Sequence, residues 1–243
     1  MSTTRFVTVT APDGEFRAYQ ALPGKLARQP LPARQPLPAV LLLPEIYNIN
    51  GWIRLVAERY AAQGHEVLVP DLFWRQAPEG VDLEYTPQDQ QRGRVLSANL
   101  DRPQAVADLK AAASWLRRER GASAVASVGF CLGGELAYLG AADGSLDAAV
   151  AYYPTRMENH LQHGPAIDVP LLVHIGELDH RTPPGLVQAL SSAVAGKPRA
   201  RIEVYDGADH GFGRFGHPPF HAASAHLAEK RTWDLLSRLK GAP

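Results

Sequence analysis

Cys131, the only cysteine in the chain, sits in Gly129-Phe130-Cys131-Leu132-Gly133-Gly134, between the apolar run Val125 to Val128 and a helical pattern that opens near Gly134. This is the layout of a nucleophile elbow, where a sharp turn lifts a side chain above a sheet edge. Small residues after the turn let backbone crowd in, and Gly133 and Gly134 supply them. The following helix aims its first N–H groups and positive dipole end at the sulfur, which favours thiolate over thiol and points to nucleophilic acyl transfer. The competing reading is an inert core cysteine; the flanking glycines weigh against it. One cysteine with scattered His and Asp residues gives no compact ligand spacing, so no metal site is expected.

A nucleophile needs a base, and the base needs an orienting acid. In open α/β sheets such groups collect where strands end. Asp179 follows the run Leu171 to Ile175 through Gly176-Glu177-Leu178, and His210 follows Ile202 to Tyr205 through Asp206-Gly207-Ala208-Asp209. The chain order of nucleophile, acid and histidine is that of the α/β-hydrolase fold. In these roles His210 takes and returns a proton, and Asp179 fixes its tautomer. Asp179 has rivals in Glu177, Asp206 and Asp209. Among the other histidines, His174 lies inside an apolar strand and reads as a core residue, and His65 opens a strand. His180 adjoins Asp179, and the two side chains are expected to diverge; His160, His163, His217, His221 and His226 read as surface groups. Glu45 ends the run Val40 to Leu43 after Pro44, where hydrolase folds supply a second backbone oxyanion donor. The donors would be Ile46 and Leu132. A carboxylate there is either a partly buried acceptor for the thiol proton or a surface loop residue.

The elements that must position these groups follow from hydrophobic patterning. Arg5 to Thr10 and Glu15 to Ala21 read as a hairpin around Pro12-Asp13-Gly14. From Ala39 on, short apolar strands alternate with amphipathic segments, the pattern of a mostly parallel sheet covered by helices on both faces. The strands are Val40 to Leu43, Glu66 to Val69, Val125 to Val128, Ala148 to Tyr152, Leu171 to Ile175 and Ile202 to Tyr205. The helices are Trp52 to Gln63, Arg102 to Arg118, Glu135 to Ala142, Pro184 to Ala195 and His221 to Leu239. One domain over 1–243 is expected, with two interruptions. The hexapeptide Ala-Arg-Gln-Pro-Leu-Pro occurs twice in succession at 27–38, within a proline-rich loop insertion at 22–38, and a polar excursion at 71–100 is expected to pass over the site. A proline-recognising partner is the alternative use of the repeat.

Composition narrows the function. With 243 residues and 45% hydrophobic content, a substantial core is available. Lys+Arg and Asp+Glu both number 25, so nothing favours nucleic acid, an anionic membrane or a polyanionic substrate. The start of the chain has no signal-peptide pattern, and no run reaches the length of a membrane span. A soluble, cytoplasmic protein with a reduced thiol is expected.

Together these residues resemble the dienelactone hydrolase, or carboxymethylenebutenolidase, family. The resemblance rests on LLLPEIYNIN at Leu41–Asn50, VPDLFWRQAP at Val69–Pro78, GFCLGG at Gly129–Gly134, AYYP at Ala151–Pro154, GELDHRTP at Gly176–Pro183 and DHGFGR at Asp209–Arg214. It implies an α/β-hydrolase fold, a Cys131, Asp179 and His210 triad, and Glu45 as the residue that helps activate the thiol when substrate displaces it toward the cysteine. It also implies arginine anchors for a substrate carboxylate: Arg214, four residues after His210, and a second drawn from Arg92 and Arg94. Tyr153, in AYYP, is a further substrate-binding candidate. Pro154 stands where the family commonly has glycine, which leaves the pocket shape open.

The expected activity is cofactor-free hydrolysis of an enol lactone through a thioester acyl-enzyme by a monomer. Two alternatives remain: a broad hydrolase of small esters or thioesters with the same triad, and a non-catalytic hydrolase-fold binding protein.

Overall fold

A computed structural model describes residues 2–24 and 38–239. Residues 27–37 of the duplicated segment fall outside the described residues, so the loop expected at 22–38 is described only at its ends. Among the described residues the strands β1 (Thr3–Ala11), β2 (Gly14–Leu22), β3 (Pro38–Leu43), β4 (Glu66–Pro70), β5 (Ala124–Phe130), β6 (Ala148–Tyr152), β7 (Leu171–Gly176) and β8 (Ala200–Tyr205) form one sheet. Its order is β1-β2-β4-β3-β5-β6-β7-β8. The helices are α1 (Gly51–Ala62), α2 (Pro87–Ala98), α3 (Arg102–Arg120), α4 (Leu132–Asp143), α5 (Leu186–Ala193) and α6 (Ala222–Leu239). No helix among the described residues is long and apolar enough to cross a membrane. The chain forms two compact units, residues 1–126 and 127–243.

In the first unit, β1 and β2 make the expected hairpin, with Ala11 opposite Gly14. β2 runs antiparallel to β4, and β3 runs parallel to β4. Every residue of β4 is buried, which suits the apolar run Val67–Pro70, and Glu66 at its start accepts from Gln20 Nε2 (2.6 Å) and Arg120 Nε (2.7 Å). α1 starts where the Asn50 side chain accepts the Ile53 N–H (3.0 Å) and buries Trp52, Ile53, Val56, Ala57, Tyr60 and Ala61, one stripe at helical spacing. α3 buries Ala105, Leu109, Ala112, Ala113 and Leu116 and stops at Gly121, whose φ of 67° a side chain would resist.

The excursion at 71–100 holds α2, a helix absent from the hydrophobic pattern because Gly93 is its only buried residue. Local chemistry starts it: the Thr86 hydroxyl accepts the Asp89 N–H (3.1 Å) and Pro87 sits in the first turn. Thr86-Pro87-Gln88-Asp89 is thus the signal that periodicity alone passes over.

In the second unit, β6, β7 and β8 are parallel and in register, with Tyr152 opposite His174 and Gly176 opposite Tyr205. α4 packs on β6 and is buried on every side from Leu132 to Ala141. Tyr138, Ala149, Ala151, Met157, Leu171, Val173, Leu186 and Leu190 belong to one core cluster. Beside that core, His174 is fully buried and bonded through both ring nitrogens, to Tyr205 Oη (2.7 Å) and Thr232 Oγ1 (3.2 Å). Burial, then the charge of Arg231, push its pKa down to about 3, so it stays neutral, as a core histidine should.

Candidate active site

The chain turns sharply between β5 and α4, at Cys131. Its φ and ψ are 54° and −111°, a conformation that ordinary residues avoid and that holds the thiol at the start of the helix. Two glycines make the turn sterically attainable. A Cβ on Gly129 would lie 1.9 Å from the Gly133 carbonyl oxygen, and one on Gly134 would lie 2.9 Å from the Tyr152 oxygen and 3.1 Å from Pro154 Cα. The Cys131 N–H donates to Tyr152 O (3.0 Å), and its carbonyl accepts the Glu135 N–H (3.1 Å), so both sides of the strained residue are held. Leu132, at the first position of α4, carries one of the N–H groups without an intrahelical acceptor, as an oxyanion donor requires.

His210 reaches this turn from the loop after β8. Its Nδ1 lies 3.0 Å from Asp179 Oδ2, and its ring also hydrogen-bonds the Cys131 side chain. The acid is held in turn, since the other oxygen of Asp179 accepts the Arg181 N–H (2.8 Å). Cys131, Asp179 and His210 are 7%, 4% and 8% exposed, so these bonds form largely out of water. Burial opposes the charge on His210; the Cys131 charge and the hydrogen bonds that the ring donates to Asp179 and Cys131 outweigh it, and the imidazole pKa rises to about 9.

The rivals for the acid role have other work. Glu177 accepts the Gly207 N–H (2.9 Å), tying the two site loops together. Asp209 Oδ1 accepts the His210 N–H (2.6 Å) and contacts His180 Nδ1 (3.2 Å). Asp206 is exposed. Asp179, His180 and Asp209 also bring one potential metal-ligating atom each within 4.8 Å of one another. Hydrogen bonds already account for the orientation of these side chains, including both oxygens of Asp179.

Of the other sequence candidates in this unit, Tyr153 is buried and sets its ring edge-on to His210, with centroids 5.1 Å apart and planes at 67°. The Arg214 guanidinium folds back over the residue after His210: a Cβ on Gly211 would lie 3.1 Å from Arg214 Nη2. Its Nη1 donates to Pro218 O (3.4 Å).

The first unit holds the remaining candidates. Glu45 is 2% exposed, which sets aside the surface-loop reading. Its Oε2 accepts a hydrogen bond from Tyr85 Oη (3.1 Å). Ile46 follows in a turn closed by Asn48 N–H to Glu45 O (3.0 Å). Arg92 and Arg94 are both exposed, one on each side of Gly93, so the structure does not choose between them.

Three polar features escaped the sequence. Tyr85 has no periodic or motif context that marks it. Glu135, in the first turn of α4, is fully buried and bonded to His160 Nε2 (3.0 Å), which corrects the surface reading of that histidine. His221 likewise pairs with Ser224 Oγ (2.7 Å).

The profile of the dienelactone hydrolase family matches residues 26–240. A carboxymethylenebutenolidase of Pseudomonas putida is 33% identical over 98% of this chain and 98% of its own length. A second, from Pseudomonas sp. strain P51, is 34% identical over 86% of this chain and 88% of its own. Among solved structures, a Klebsiella pneumoniae protein provisionally named a dienelactone hydrolase superposes with a TM-score of 0.83 at 26% identity, covering 98% of this chain and 99% of that one. The fold is that of the α/β-hydrolases.

Proposed function

This chain belongs to the dienelactone hydrolase family and is a hydrolase of ester bonds, and from that premise we propose that it opens an enol lactone through a thioester on Cys131. The observation that carries the proposal is the relay in which one imidazole bonds Cys131 on one side and Asp179 Oδ2, at 3.0 Å, on the other. The thiolate attacks the lactone carbonyl, and the N–H groups of Ile46 and Leu132 receive the negative charge that develops on its oxygen. When that intermediate collapses, the ring C–O bond breaks and the enolate leaves with its charge spread by conjugation. The product of this half-reaction is a thioester that still carries the opened chain.

Hydrolysis then needs a base, and the charge balance supplies one. Forming the thioester removes the thiolate, a principal cause that holds the His210 proton. His210 can then give up that proton to the departed enolate, take one from water, and return it as the thioester C–S bond breaks. Asp179 keeps the imidazole in the tautomer that this exchange uses. Glu45 is proposed, from the family resemblance, to help activate the thiol when substrate displaces it toward Cys131. Arg214, lying against Gly211, offers a fork that matches a substrate carboxylate with two hydrogen bonds. The substrate is a small carboxylate-bearing lactone or ester, and the reaction calls for no cofactor.

Cys131→Ala should abolish turnover of 4-carboxymethylenebut-2-en-4-olide while the protein stays folded; retained turnover would remove the thioester. Arg214→Ala should raise KM for that lactone and leave neutral aryl acetates unchanged. Equal losses on both would reduce the activity to general ester hydrolysis without a carboxylate anchor.

A further inference from the structure

The turn that carries Glu45 and Ile46 is gripped, residue by residue, by the excursion that follows β4. Tyr85 Oη donates to Glu45 Oε2 (3.1 Å). The backbone of Gly93, in α2, approaches Ile46 so closely that a Cβ there would lie 2.5 Å from the Ile46 carbonyl oxygen and 3.3 Å from its Cβ. Tyr47 O accepts the Leu83 N–H (3.0 Å), and its hydroxyl accepts from Gln90 Nε2 (3.2 Å). Asn48 bridges to Asp82 and donates from Nδ2 to Val81 O (2.8 Å). Each of these four consecutive residues therefore has a partner within 81–93, and Asn48 is held in addition by Asp71 Oδ1 (2.6 Å) and the Leu72 N–H (3.1 Å).

The sequence of α2 makes sense only with that grip. Alanine is the better helix former, yet glycine occupies the one buried position of a helix that otherwise faces outward. An added methyl would have to move by about 1 Å from the Ile46 carbonyl to reach ordinary contact. We propose that 81–93 is a brace that sets the Glu45–Asn48 turn, with Tyr85 acting through Glu45 and Gly93 acting through Ile46 as positioning residues. The inference rests on the roles given above to Glu45 and to the Ile46 N–H.

Tyr85→Phe keeps the ring against Tyr47, whose centroid lies 4.5 Å away, and deletes the bond to Glu45. Its kcat on the lactone should fall about ten-fold with KM changed less than about two-fold. In a Glu45→Gln background the same change should cost nothing further, because its route is already gone. Gly93→Ala moves the Ile46 donor and should lower kcat about a hundred-fold. Alkylation of Cys131 by iodoacetamide needs no oxyanion donor, so its rate should stay within about two-fold in Gly93→Ala. Full activity in either variant, a Tyr85→Phe loss that adds to that of Glu45→Gln, or alkylation that falls with kcat would overturn the brace. A fully active Glu45→Gln would instead sink the role of Glu45 and leave the Gly93 arm to decide.

Discussion

Removing the sulfur should change the acidity of an imidazole. In the folded protein His210 is raised from 6.5 to about 9, with burial working against that rise. The net preference for the charged ring is therefore about 3 kcal/mol, from 1.36 kcal/mol for each pKa unit. Cys131 contributes twice, by charge and by hydrogen bond, whereas Asp179 is present in every state. Cys131→Ala deletes both contributions and leaves the ring buried, so its pKa should fall by at least about one unit. Titration of the ring nitrogens by NMR on 15N-histidine-labelled protein gives the number directly. His174, held neutral by burial, is an internal reference that should not titrate near neutrality. The sign of the linkage follows. A raised folded pKa adds stability that is complete below about pH 6.5 and is lost as pH climbs through about 9. The stability difference between pH 6 and pH 9.5 should therefore shrink in Cys131→Ala. An unchanged His210 pKa in that variant would refute the electrostatic coupling, and with it the argument that thioester formation frees the base.

Three further perturbations address separate parts of the structure. Asp179→Asn should leave the fold intact and lower kcat about 10³- to 10⁴-fold by favouring the wrong His210 tautomer; a loss under ten-fold would contradict that role. Gly129→Ala places a methyl 1.9 Å from the Gly133 oxygen, backbone against backbone, and should cost more than about 3 kcal/mol in urea unfolding or prevent folding; near-normal stability would show that the elbow can relax. Thr86→Ala removes the cap of α2 at a local cost of about 1 kcal/mol, seen as about five-fold faster hydrogen exchange of α2 amides; unchanged exchange would mean that packing alone holds the helix.

What the sequence disclosed and what it hid divide along physical lines. The strands around Cys131, Asp179 and His210 are apolar runs closed by turn residues, so both their type and the loops they launch could be read locally. The elbow was legible because its geometry forces glycine at fixed offsets from the sulfur. Asp179 stands ahead of Glu177 and Asp209 in the sequence chiefly through the family motif, since all three lie in site loops; in space their hydrogen-bond partners distinguish them. α2 stayed hidden because its single buried residue leaves no hydrophobic stripe, although Thr86 and Pro87 announced its start. His160 and Glu135 are 25 residues apart, and no periodicity marks a hydrogen bond at that separation. Tyr85 lies 40 residues from Glu45, with the same consequence.

The covalent step offers the most direct test. Rapid quenching of the enzyme during turnover of the lactone, followed by intact and peptide mass spectrometry, should find the mass of the ring-opened acyl group on the peptide that contains Cys131, released by hydroxylamine as a thioester is. Steady turnover with that peptide unmodified at every quench time, or with the acyl group on another residue, would contradict it.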